Sequence, residues 1–302
     1  MLENPDYLRD STVVIADPFS DVLKLASAES VVSGGFTAGR TWAIRFPPPA
    51  KLKFFAVVRG YCWLTIDGEA TPIRVASGDV FLVSQRAFVL ADDAAAVPVN
   101  ASDVFTPAAG NFGKLSDGDD VSLIGGHVEL DAVSGVFLAD ILPPLMYVEA
   151  ASPQATVLQW LLHQLARERA SDLPGARVAA EQLTQLMFIQ IMRAHLADSP
   201  WFPAGLLRAL GDAAIAPAIR LMHGDPGRAW HLEELAKSAA MSRTAFALRF
   251  KTVAGVPPLT YLLNWRMRIA ERALREEKRR YRLLRSRSAI RQRVLSATRS
   301  SG

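Results

Sequence analysis

The chain has 302 residues, half of them apolar, and carries 34 Lys/Arg against 30 Asp/Glu for a net charge of +4. That length fits two domains with a sizeable core, and the single cysteine, Cys62, excludes an internal disulfide and a cysteine-based metal cluster. No apolar run is long enough for a membrane-spanning helix and the acidic, polar opening MLENPDYLRD shows no secretory signal, so the expectation is a cytoplasmic protein with no membrane partner.

Residues 12–133 read as strands. The stretch KFFAVVRGYCWLTIDGEATPIRVASGDVFLV alternates short β-branched and aromatic runs with the turn signals RG, DGE and SGD. Asp67-Gly68 is expected to form a tight hairpin turn, with both central residues at positive φ. The regular rhythm predicts an antiparallel barrel or sandwich. After Pro143-Pro144 the texture changes to helix. Val157, Leu158, Leu161, Leu162 and Leu165 fall on one helical face. A second helix carries Val178, Leu183, Leu186, Met187, Ile189, Gln190 and Ile191 around a wide apolar surface. These faces fit either core packing or a seam between two copies of the chain. SPWFPAG, residues 199–205, reads as a hinge.

Residues 230–253, WHLEELAKSAAMSRTAFALRFKTV, read as two short helices around an AMS turn. Leu232, Leu235, Ala236 and Ala239 share one face of the first. Ser242 is a good N-cap for the second, because its hydroxyl can accept from the exposed N–H groups of the next turn. Phe246 and Phe250 face inward four residues apart. Arg243, Thr244, Ala247, Leu248 and Lys251 remain on or near the outer face. This is the pattern of a helix-turn-helix, whose second helix enters the major groove of DNA. A helical hairpin built only for packing has the same spacing, so the pattern alone leaves both readings open.

The run LEELAKSAAMSRTAFALRFKTVAGVPPLTYLLNWRMRIAERAL resembles the AraC/XylS family of bacterial transcription regulators. SGGFTAGRTWAIRFPPPAKLKFFAVVRGYCWLTIDG, SGDVFLV and LIGGHVELD resemble the cupin-type sensor domain of one branch of that family. The resemblance implies an α+β chain with a cupin-like antiparallel β-barrel, a helical connector and an all-α helix-turn-helix domain. It places the sensor at 1–145, the connector at 146–204, the DNA-binding region at 205–277 and a basic tail outside the family pattern, expected to be disordered, at 278–302. It also implies double-stranded DNA and a small-molecule effector as partners, with a homodimer possible through the connector. Arg243, Thr244, Ala247 and Leu248 then face base edges, while Lys251 and Arg266 suit phosphate contacts. Relatives often carry Arg near position 248, and Leu248 cannot make a bidentate guanine contact; packing against the following helix is its alternative role.

The family pattern calls for a second helix-turn-helix after the long linker helix. The chain instead reads KRRYRLLRSRSAIRQRVLSATRSSG, with nine Lys/Arg and no acid, so residues 1–277 carry −5, the difference between +4 and +9. Read one frame over, with synonymous codons allowed, the stretch from Arg279 can spell PVSAIAQSVGYPSASAFSHAFKR, which follows the family pattern. A frame change near Glu277-Lys278 that leaves the DNA-binding region incomplete is therefore one reading. A basic arm binding phosphates through counterion release is the other.

A cupin enzyme would need clustered metal ligands. His127 is the only histidine in residues 1–162, so no metal site, cofactor or catalytic residue is expected. The fragments SGG, IGG and GDPG match no phosphate-binding loop. Trp42, Arg45, Phe55, Trp63 and His127 are the candidates for lining an effector pocket. A cupin-type enzyme with a helical appendage is the alternative function.

Overall fold

The computed structural model describes residues 17–105, 112–131, 135–197 and 203–299. In chain order these form α1 (Pro18–Leu25), β1 (Glu29–Ala38), β2 (Ala43–Phe46), β3 (Leu52–Arg59), β4 (Tyr61–Ile66), β5 (Ile73–Ala76), β6 (Val80–Val83), β7 (Phe88–Ala91) and β8 (Val99–Asn100). There follow α2 (Ala101–Val104), β9 (Phe112–Lys114), β10 (Val121–Glu129), α3 (Val136–Ile141), β11 (Leu145–Val148), α4 (Ala155–Arg169) and α5 (Ala176–Ala197). The last elements are α6 (Leu206–Gly211), α7 (Ala216–Gly224), α8 (Leu232–Ser238), α9 (Arg243–Ala254) and α10 (Pro258–Arg299). They divide into two compact units, Ala26–Ala213 and Met1–Leu25 with Ala214–Gly302. The hinge expected over 199–205 falls mostly outside the described residues.

Two facing sheets build the first unit, one in the order β11-β6-β3-β10-β1-β9 and one in the order β5-β4-β7-β2-β8. Pairing is antiparallel except for β1–β9 and β2–β8. Side chains alternate along each strand, and one parity from each sheet meets in the core. Phe36, Ile44, Phe46, Phe55, Val57, Cys62, Leu64, Phe81, Phe88, Leu90 and Leu123 form that shared cluster. The six-stranded sheet is buried on its other face too, so β6 is buried at every position. The cover is α4 and α5, which pack on β1, β3, β6 and β11.

Hydrogen bonds fix this cover to the sheet. Gln185 on α5 accepts from Ser30 N–H at 2.8 Å and donates to the Ala28 carbonyl at 3.0 Å, in the manner of a neighbouring strand. The buried carboxylate of Asp79 accepts from Ala76 N–H, Ala150 N–H and Tyr147 O–H at 2.7–2.8 Å. The helices therefore complete the barrel unit, rather than forming the separate connector drawn at 146–204. Val157, Val178 and Leu186, expected on apolar faces, are exposed. The Asp67-Gly68 expectation also changes. Glu69 N–H closes a turn onto the Ile66 carbonyl at 3.0 Å, and only Gly68 takes positive φ, at 88°. A two-residue hairpin is not required, because β5 begins only at Ile73.

The second unit is helical. The N-terminal helix α1 packs with α7 and α10. At its centre His223 stacks on Trp265 with ring centroids 4.1 Å apart. Its Nε2 lies 2.8 Å from Tyr261 Oη and its Nδ1 lies 3.3 Å from Asp21 Oδ2. The backbone of α10 continues to Arg299, where the sequence reading expected disorder. Arg, Leu, Lys, Gln and Ala are strong helix formers, and no Gly or Pro interrupts the run after Pro258.

Candidate ligand pocket and nucleic-acid interface

A cavity of about 400 Å³ opens inside the barrel unit. Its walls are Phe36, Phe46, Pro47, Phe55 and Phe105, with Lys53, Ser102 and His127 as the polar side chains. Strand parity explains the selection. Lys53 shares its face of β3 with Phe55 and Val57, and His127 lies opposite Lys53 in the β10–β3 register. Gly34 and Gly35 of β1 pair with Gly125 and Ile124 of β10, and Gly126 follows on the same strand. A Cβ on Gly125 would come within 3.0 Å of the Phe55 ring, and one on Gly35 within 2.4 Å of the Leu123 carbonyl. Glycine at these positions keeps the sheet surface open and lets the aromatic wall lie close to the backbone.

Lys53 Nζ sits 4.9 Å from the centroid of the Phe46 ring. Burial lowers its pKa, because the charged ammonium has lost water. His127 Nε2 contacts Glu129 Oε1 at 3.1 Å, and Lys51 Nζ reaches the same oxygen at 2.5 Å. The Lys51 hydrogen bond, and then the His127 hydrogen bond, hold the Glu129 carboxyl below its usual range.

Of the expected lining residues, the structure brings Phe55 and His127 to the cavity and excludes three. Trp42 is buried in the core, edge-on to Phe36 at 5.1 Å. Arg45 faces outward on β2 and pairs with Asp67 at 2.5 Å. Trp63 lies on the outward parity of β4, across from Arg74. A one-residue change of parity moves a side chain to the opposite face. Sequence reasoning missed Lys53, Phe36, Phe46 and Phe105. The paired glycines were visible as SGG and IGG, and only the strand register shows that they are neighbours. Among the described residues no group of three His, Cys, Asp or Glu is placed to hold a metal ion, and no helix is long and apolar enough to cross a membrane.

In the helical unit, α8 and α9 form the expected pair. Ser242 caps α9, its Oγ accepting from Ala245 N–H at 3.3 Å. Gly255 ends the helix in the left-handed region at φ 76°, where its N–H meets the Lys251 carbonyl at 2.9 Å. Phe246 and Phe250 are fully buried and meet edge-on, and Phe250 also meets Tyr261 of α10. Arg243, Thr244, Leu248 and Lys251 are exposed, and Ala247 is half-buried at the edge of that face. Leu248 is 68% exposed, which removes packing against α10 as its role. Arg266 donates from Nε to the Pro226 carbonyl at 2.5 Å and from Nη2 to the Arg228 carbonyl at 2.6 Å, so its guanidinium clamps the loop before α8.

A family model described as a cupin (Cupin_6) matches residues 17–197. A protein of Streptomyces lividans named as an AraC-like transcription regulator is 39% identical over 261 residues, covering 86% of each chain. The HTH-type transcriptional regulator AlkR of Acinetobacter baylyi is 26% identical over 245 residues, covering 78% of each. Among solved structures, ToxT of Vibrio cholerae aligns with 78% of this chain and 97% of its own at 13% identity and a TM-score of 0.27.

Proposed function

The chain belongs to the AraC-like transcription regulators that carry an N-terminal cupin domain, and from that premise we propose that it binds double-stranded DNA through α9 under the control of a small organic effector held in the barrel pocket. The observation that carries this reading is the outward face of α9: Thr244 and Leu248 at its centre, flanked by the cations Arg243 and Lys251, on a helix capped at both ends. Thr244 can contact a thymine methyl or donate to a base edge, and Leu248 can contact a thymine methyl. Arg243, in the first turn of the helix, can reach a base edge, and Lys251 adds a phosphate contact that sets the register without reading sequence. Such a regulator works in the cytoplasm. Trp160 and Val157, exposed on α4, give the barrel unit an apolar surface that fits a homodimer seam.

DNA binding in this chain is proposed to be weak, because residues 278–302 carry no second helix-turn-helix pattern. One face of α10 fits this. Leu259, Leu263, Met267 and Leu274 lie on a single stripe and are 47%, 52%, 58% and 60% exposed. Leucines spaced this way normally mark a buried helix face, and among the described residues nothing covers them. The test compares this chain with a version whose reading frame is restored from Lys278 onward. Both are titrated with duplexes enriched from a random library, and sedimentation of the same samples reads the protomer count. The expected result is that the restored chain binds at least ten-fold more tightly and discriminates more strongly. Equal affinity would refute the impairment, and no sequence-selective binding by either chain would refute the DNA-binding reading itself.

A further inference from the structure

We propose that the barrel pocket selects an organic carboxylate with an apolar, aromatic-sized body, its anionic group paired with the ammonium of Lys53. The inference rests on the reading of this cavity as the effector site and specifies what the site recognises.

Three features of the cavity lead there. The first is space. Two glycine pairs on adjacent strands, Gly34-Gly35 and Gly125-Gly126, open one wall of the cavity to backbone, and the 400 Å³ available is within the range that holds a small organic molecule. The second is the character of the walls. Phe36, Phe46, Phe55, Phe105 and Pro47 offer flat apolar faces suited to an aromatic or compact hydrocarbon body. The third is the charge. No carboxylate lines the cavity, and no ion pair to Lys53 occurs among the described residues; its cation rests over the Phe46 ring. The nearest acid on the same strand as His127, Glu129, is held at the rim by Lys51 and His127.

A half-buried ammonium without a counterion costs stability. A ligand carboxylate would supply the missing charge in a low-dielectric site, where the pairing is stronger than in water. A neutral ligand of the same shape would gain the apolar contacts and leave the ammonium unpaired. Discrimination therefore comes from Lys53, and the aromatic wall contributes affinity to both.

The test uses the full chain and two probes of one shape, biphenyl-4-carboxylate and biphenyl-4-carboxamide, with affinity read by calorimetry. The expected result is that the carboxylate binds at least ten-fold more tightly than the carboxamide. Lys53→Met should remove that preference and keep or raise the melting temperature. Ser102→Trp, which fills the cavity from α2, should weaken both probes. A carboxamide that binds as well as the carboxylate, or a preference that survives in Lys53→Met, would overturn the anion proposal; weakening of both probes by Ser102→Trp would then leave the pocket reading standing. No binding of either probe, or binding untouched by Ser102→Trp, would overturn the pocket reading and the proposal together.

Discussion

His223 shows how much a single buried group depends on its surroundings. Its imidazole is held at about 4 by burial, below its ordinary 6.5. The neutral tautomer that satisfies both neighbours carries the proton on Nδ1, donating to Asp21, while Nε2 accepts from Tyr261 O–H. The folded state therefore resists protonation that the unfolded chain accepts. The unfolded state binds more protons between pH 6.5 and 4, so stability falls as pH falls through that window. Between pH 7 and pH 5 the loss should be about 2 kcal/mol. Asp21, its own carboxyl raised by burial, works in the opposite sense at the acid end. Urea unfolding at the two pH values checks this: His223→Gln, a neutral hydrogen-bonding replacement, should show a shallower dependence than the natural chain. Equal slopes would mean that His223 is not held neutral.

Cys62 and Lys53 mark what residue-level reading of the sequence could and could not see. Cys62 is fully buried, and burial, followed by the charge of Asp79, pushes its thiol up to about 12, so it serves as a core side chain. Its lack of a disulfide partner was evident from the count alone. Lys53 in KLKFF reads as a strand-end charge, and only the pairing with His127 turns it inward. Arg45 and Trp63 have suitable residue types but sit on the outward parity of their strands, and Trp42, on the inward side with Ile44 and Phe46, is taken up by core packing. Parity decides which side chain enters a barrel, and parity depends on a register that composition does not give.

At the scale of elements, the turn between α8 and α9 was the most legible feature and holds one compromise. Met241 N–H bonds the Ala236 carbonyl at 3.0 Å and Ala240 N–H bonds the Lys237 carbonyl at 3.0 Å, closing α8 in the paired arrangement that favours glycine at the left-handed position. That position is Ala240, at φ 53°. Ala240→Gly should therefore raise stability by about 0.5–1 kcal/mol, with Thr244 and Leu248 left in place on α9. Thermal unfolding checks it, and a lower melting temperature would mean that the turn tolerates the alanine without strain. The helix α10 teaches the reverse lesson. Over 278–299, within the tail expected to be disordered, the backbone of α10 continues as helix, in line with the strong helix formers and the absence of Gly and Pro there. The apolar stripe from Leu259 to Leu274 was not singled out, because within one helix an uncovered face and a covered one have the same sequence.

For the whole molecule, the strand-rich first half and the helices after it are readable from periodicity and turn chemistry, while the α+β architecture and the choice of a helix-turn-helix over a packing hairpin come with the family resemblance. The division into units was readable from neither. Residues 155–197 look like a connector in sequence because they are helical after strands. In space they bury the outer face of the six-stranded sheet, which is why β6 is apolar at successive positions instead of alternating. Likewise α1 precedes the barrel in the chain and folds with the helices after residue 213, through contacts more than two hundred positions away that no local pattern encodes.

The central claim is that α9 reads base edges from its outward face. Leu248→Arg tests it most directly, because arginine at that position can make the paired contact with guanine that leucine cannot. Duplexes enriched from a random library by the natural chain and by the variant would be sequenced side by side. The account predicts that the preferred base changes to guanine at one position of the site while the remaining positions keep their preference. An identical preferred sequence for the two proteins would contradict it.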